Sequence, residues 1–352
     1  MNPRQARLIF IITTLCMPYG EARSPWRPKD PFMPELHVRY AESKQVYSVR
    51  DYSLEYIPIF KKFDRDFFMN NLVSDKEVPY RTNASRCVKG SRLKKLCEEV
   101  IYEIRNHKTK PEQLKHFIIL KSADFNFRTS SGLIILKYKR YPFVLKLFIK
   151  TAETFMKLSE GIIPKFLFRI GGGINRHLSG FTRVKNSHAI KELIQSSDQW
   201  KDSMDVPDKR FILPRCSRWL ELRGRYIGPE QECCIEIPAI YGILCDWIKS
   251  KRTFSLSNAD ERTTALSFAQ WTGNRVDANI DNFTIEESTG KIVIIDTEHF
   301  PTMVGLKDPF ECKDYASWYT QLSVKFLKNS FLQDKNTRRE LQTKILPERY
   351  PI

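Results

Sequence analysis

Apolar residues recur at helical spacing in the amino-terminal third of the chain, where Leu93, Leu96, Val100, Ile101 and Ile104 share one face of a helix predicted over residues 91–106. Ser91 is its expected N-cap, and Pro111 bars continuation. The pattern then shifts to continuous apolar runs. Phe117 to Leu120, Leu133 to Tyr138 and Phe143 to Phe148 are separated by polar or Gly/Pro-containing turns, which predicts an antiparallel meander. Further on, the spacing predicts a helix over 187–196, strand character over 210–223, and a helix over 239–249 after Pro238. Another helix is predicted over 258–271, with Asn258 as its cap and Leu266 and Phe268 inward. Phe283-Thr284-Ile285 and the run Ile292 to Ile295 flank a turn ending at Gly290 and predict a β-hairpin. A last helix is expected over 315–329.

The first 22 residues have the order of an export signal: Arg4 and Arg7, an apolar run from Leu8 to Met17, then the small residues of Gly20-Glu21-Ala22. That run is too short to span a bilayer comfortably, and nothing after it resembles a second span, so the expectation is an exported or secreted protein without a transmembrane anchor. Residues 23–39, with Pro25, Pro28, Pro31 and Pro34, read as an extended linker. Residues 40–112 read as a helical accessory segment, with Arg81, Arg86, Lys89, Arg92, Lys94 and Lys95 as a solvated basic face. The seven cysteines beyond Ala22 match no zinc spacing. A length of 352 residues, 41% hydrophobic and 12% aromatic, suffices for a two-lobed globular unit. A net charge of +17 calls for anionic company. Nucleotide phosphates, nucleic acid and acidic membrane surfaces all suit that field, but no nucleic-acid motif accompanies it.

The candidate chemistry lies between Asp277 and Glu298. Asp277-Ala278-Asn279-Ile280-Asp281-Asn282 precedes the predicted hairpin, and Asp296-Thr297-Glu298 follows its second strand. The hairpin returns the chain to where it began, so the carboxamide of Asn282 and the carboxylate of Asp296 are expected at one end, beside Asp277. Carboxylate and amide oxygens suit a hard Mg²⁺ ion, and phosphoryl transfer asks mainly for positioning and charge neutralisation. The order and spacing resemble the catalytic loop and metal-binding strand of the protein-kinase-like superfamily. The resemblance, which covers roughly residues 117–300, implies an α+β, bilobal protein-kinase-like fold. Residues 113–225 would form an antiparallel-sheet small lobe with a Gly-rich insertion, and 226–352 a mainly helical large lobe. It also implies an ATP- and Mg²⁺-dependent phosphotransferase acting on a protein or small-molecule hydroxyl, with Asp277 as catalytic base and Asn282 and Asp296 as metal ligands.

Lys146, inside the third strand run, is the corresponding phosphate-binding lysine, with Lys137 and Lys150 as alternatives. Its glutamate partner would be Glu153, Glu160 or Glu192. Several features depart from the family. The His-Arg before its catalytic aspartate is here Arg275-Val276, and its Asp-Phe-Gly is Asp296-Thr297-Glu298. The hairpin between Leu120 and Leu133 offers Ser130, Ser131 and Gly132 instead of a glycine-rich loop. Gly171-Gly172-Gly173 followed by Arg176, His177 and Arg183 is a second candidate phosphate cradle, which makes Arg176 and Arg183 expected nucleotide contacts. The same departures fit an exported pseudokinase that binds without catalysis.

Overall fold

Leu36 and Val38 alternate with Glu35, His37 and Arg39, so the chain is already a strand inside the stretch expected to be a linker. The structure, a computed structural model, describes residues 32–50, 63–155, 174–226, 232–299 and 312–321, together with the backbone of 340–345. The predicted export segment, the triple glycine and Glu160 lie outside the described residues, as does the side chain of Arg176.

Strand β1 (Glu35–Tyr40) pairs antiparallel with β2 (Gln45–Arg50). Helix α1 (Arg65–Asn70) is capped by Asp64, whose side chain accepts from the Phe67 N–H. A hairpin of β3 (Glu77–Tyr80) and β4 (Asn83–Lys89) leads into α2 (Gly90–Arg105), whose apolar face is the one predicted. Lys89, not Ser91, occupies its N-cap position. The accessory segment is therefore a mixture of strands and helices rather than helical throughout. Strands β5 (Phe117–Lys121), β6 (Phe125–Asn126), β7 (Ser131–Tyr138) and β8 (Phe143–Ile149) make the expected meander. Three helices follow: α3 (Ala152–Phe155), α4 (Ile174–Gly180) and α5 (Thr182–Gln195). The last begins earlier than predicted, because polar Arg183, Asn186 and Ser187 are buried there and interrupt the apolar pattern.

The second half runs β9 (Met204–Asp205), β10 (Lys209–Ile212), β11 (Trp219–Arg225), β12 (Glu232–Pro238), β13 (Ile240–Asp246) and β14 (Ser250–Thr253). It continues with α6 (Ala259–Trp271), a 3-10 turn (Ile280–Asn282), β15 (Phe283–Glu286), β16 (Ile292–Ile294), a helical turn at 315–321 and β17 (Glu340–Ile345). The helix predicted over 239–249 is β13 instead: an inner strand, buried on both faces, reads as one unbroken apolar run whose periodicity cannot separate helix from strand. The lobe boundary expected at 225/226 falls between paired strands β11 and β12.

The fold is α+β, with largely antiparallel sheets. One sheet has the order β12-β11-β1-β2-β17, a second β10-β13-β8-β7-β5 with β6 also on β7, and a third β14-β15-β16-β9, in which β16 and β9 are parallel. A large hydrophobic cluster unites the first two sheets with α2. It includes Leu36, Leu96, Phe117, Leu145, Phe211 and Ile237. A smaller cluster around Trp200, Phe268, Phe283 and Trp318 lies under the third sheet and α6. Helix α5 feeds both, Val184 packing in the first and Ile190 and Ile194 in the second. Gly180, just before it, is required by closeness: a Cβ there would lie 2.0 Å from the Tyr241 hydroxyl.

Candidate functional site

The β15–β16 hairpin places the ends of its strands together, with Phe283 opposite Ile294 and the Ile295 N–H donating to the Asn282 carbonyl at 3.0 Å. Gly290 turns it at φ +70°, a conformation that suits glycine. Asn282 and Asp296 thus leave the same end of the third sheet. Ahead of them, Asp277 Oδ1 accepts the Asn279 N–H at 3.0 Å, the Asn279 side chain accepts the Asp281 N–H at 3.1 Å, and Asn282 Nδ2 donates to the Asp277 carbonyl at 3.3 Å. These short polar side chains build the loop as well as the site. Tyr315 holds it from the far side, its hydroxyl accepting the Ile280 N–H at 3.2 Å.

Lys146 reaches this cluster from β8. It is buried, and its ammonium lies 3.3 Å from Asp296 Oδ1. No glutamate from the following helices takes that place among the described residues: Glu153 and Glu192 are exposed, and the carboxylate that Lys146 meets is the strand-end aspartate. Lys137 instead stands 4.1 Å over the Trp247 ring.

Arg183 meets two carboxylates. It lies in α5 with its side chain 3% exposed, and its guanidinium is bound to Asp296 Oδ1 and, at 2.8 Å, to Glu298 Oε2. Ser179 donates to the other Glu298 oxygen. His177, expected to add charge, sits between Phe148, Phe155, Phe181 and Tyr241, with Nε2 3.0 Å from the Pro238 carbonyl. Burial pushes its pKa down to about 3, so the ring is neutral. In the β6–β7 turn, Asn126 Oδ1 accepts the Arg128 N–H at 3.0 Å and the Thr129 N–H at 3.4 Å. Those amides already have a partner.

Two further groups carry no motif. Lys209, the first residue of β10, is buried and donates to Thr297 Oγ1 at 2.6 Å and to the Ile295 carbonyl at 3.4 Å. Asn186 on α5 donates to the carbonyls of Arg275 and Thr297, both at 3.0 Å, and so ties the loop before Asp277 to the segment after Asp296. Thr297 Oγ1 in turn donates to the Arg183 carbonyl at 2.7 Å. Neither Lys209 nor Asn186 is singled out by a local spacing in the sequence.

The electrostatics separate the two aspartates. Burial pushes the Asp277 carboxyl up to about 7, with the charges of Asp296 and Glu298 adding to the shift against the stabilising Asn279 amide. Burial would raise Asp296 too, but Arg183, Lys146 and Lys209 outweigh it and hold that carboxyl well below the usual range. Burial drives Lys209 down to about 7, with Lys146 and Arg183 repelling its charged form. The result is one ionised carboxylate beside one that exchanges its proton near neutrality, the division of labour that acid–base chemistry requires.

Asp296 keeps 31% of its side chain exposed, and the contacts it makes with Lys146, Arg183 and the Glu298 N–H all fall on Oδ1. No group of three or more His, Cys, Asp or Glu among the described residues is arranged to hold a metal ion. No protein-family model, no curated protein and no solved structure matches the chain.

Proposed function

We propose that the protein is an ATP- and Mg²⁺-dependent phosphotransferase with a bilobal, kinase-like architecture, acting on a hydroxyl substrate. The observation that carries the reading is the convergence of Lys146, from the six-stranded sheet, on Asp296 at the end of the hairpin that also carries Asn282. In this reading Asp277 orients the acceptor hydroxyl and takes its proton, Asn282 and Asp296 hold Mg²⁺, and Lys146 moves from Asp296 to the nucleotide phosphates. When bound, the metal would neutralise charge on the transferring phosphoryl group. Lys209 and Arg183 keep Asp296 ionised for that ligand.

The pseudokinase reading has its own support. Arg183 occupies one oxygen of the metal-binding aspartate, and the β6–β7 turn spends its amides internally. A thermal-shift titration with Mg²⁺-ATP, followed by an assay of phosphate release or transfer, separates the two. Stabilisation and turnover are expected, with Asp296→Asn abolishing both and Asp277→Asn sparing only the stabilisation. Stabilisation of the wild-type protein without turnover would favour the binding module, and unchanged turnover in Asp277→Asn would remove the base assignment.

A further inference from the structure

At the β7–β8 end of the meander the turns β3–β4 and β7–β8 and the residue after β13 enclose an open cavity of about 330 Å³. Its walls include Tyr80, Arg86, Lys137, Arg140, Tyr141 and Trp247, with Lys139 beside them. Four of these groups are cations and none of the lining residues is acidic. None of the four forms an ion pair with a carboxylate among the described residues. Arg86 stands 5.7 Å from the centre of the Tyr80 ring, Lys137 stands over Trp247, and Lys139 donates to the Leu114 carbonyl at 2.7 Å. A neutral carbonyl and aromatic faces orient these side chains without cancelling their charge.

The walls are fixed. The Trp247 N–H donates to the Pro142 carbonyl at 2.8 Å, and the Lys139 N–H to the His116 carbonyl at 3.0 Å. Tyr80 packs edge-on against buried Phe143, and the Tyr138 hydroxyl reaches the Leu93 carbonyl at 3.3 Å. From below, Arg81 anchors the β3–β4 turn to Asp205 at 2.6 Å and to Glu286 at 3.0 Å. A concave, preformed site whose rigid aromatic sides carry uncompensated cations suits a ligand with a flat apolar face and several anionic groups. Its volume sits at the small end of the ~300–1,000 Å³ typical of ligand pockets, enough for one or two rings.

We infer that this cavity is a binding site for a small ring compound bearing phosphate or sulfate esters, separate from the Asp277–Asp296 cleft. The anionic groups meet Arg86, Lys139 and Arg140, and the ring lies against Tyr141 and Trp247. Calorimetric titration of the full chain with inositol hexakisphosphate and with a sulfated disaccharide, each beside its uncharged parent, tests this and distinguishes phosphate from sulfate as the source. Saturable binding of at least one ester and none of either parent is expected. Arg86→Ala combined with Arg140→Ala should weaken it at least about tenfold, or about 1.4 kcal/mol. Both arginines are exposed, so the variant should melt as the wild type does and keep its thermal response to Mg²⁺-ATP. Lys146→Ala should bind the ester unchanged. Absence of binding by both esters, wild-type affinity in the double variant, or loss of binding in Lys146→Ala would overturn the assignment.

Discussion

Asp277 shows how one side chain can hold a loop and titrate near neutrality. Its carboxylate accepts a backbone N–H two residues on, as turn-forming aspartates do, while burial and its acidic neighbours bring its pKa to about 7. In the unfolded chain the same group titrates near ~3.9. The folded protein therefore holds this proton more tightly, and the contribution of Asp277 to stability falls as pH rises from about 4 through about 7. Urea denaturation at pH 5 and pH 8 should show that decline, and Asp277→Asn should flatten it. If Asp277 is the base, turnover has the opposite dependence and rises across the same window as the carboxylate ionises. Arg183 is a sterner case: Arg183→Met leaves Glu298, 9% exposed, and Asp296 without their guanidinium. A loss of about 3–5 kcal/mol of unfolding free energy is expected, the usual effect of removing one partner from a buried ion pair. A loss below about 1 kcal/mol in urea denaturation would contradict the pairing.

At the scale of elements, local pattern was informative for helices and hairpins with one face buried and the other wet. Helix α2 betrayed itself through Leu93, Leu96, Val100, Ile101 and Ile104, and α6 through Asn258, whose side chain accepts the N–H groups of Asp260 and Glu261. The β15–β16 hairpin followed from its turn, and with it the nearness of Asn282 and Asp296. Strand β13 was opaque for a physical reason: its residues are buried on both faces, so no alternation survives. Strand β1 does alternate, but its proline surroundings point to a linker. Lys209 and Asn186 were illegible because their roles depend on α5 and β10 flanking the strand end, a tertiary fact with no local spacing. Helix α4 makes a quantitative demand at Gly180. Gly180→Ala would press a methyl group against the Tyr241 hydroxyl and the Phe148 ring. Overpacking of this kind typically destabilises by about 1–3 kcal/mol, which a lowered melting temperature would register. A melting temperature equal to the wild type would mean that Tyr241 yields freely.

For the whole molecule, two hydrophobic clusters share helix α5, and the candidate cleft forms where side chains from both meet. A helix that bonds through Arg183 and Asn186 to the strand end and the loop cannot shift without disturbing both. Arg81 makes a second tie. It leaves the β3–β4 turn of what the sequence suggests is an accessory segment and meets Asp205 and Glu286 in the third sheet, Glu286 being 1% exposed. A chain begun at residue 113 would also lose β1 from the centre of the five-stranded sheet and the apolar face of α2. Such a truncation is expected to yield insoluble protein, and a soluble, cooperatively melting product would refute that expectation.

The guanidinium of Arg81 has a consequence for how the two halves of the chain can be inherited or exchanged. A homologue that lost the early hairpin would have to replace Glu286 as well, since an acid stranded in the dry interior has no counter-ion to turn to. Charge at position 81 and charge at position 286 should therefore change together, one mutation licensing the other.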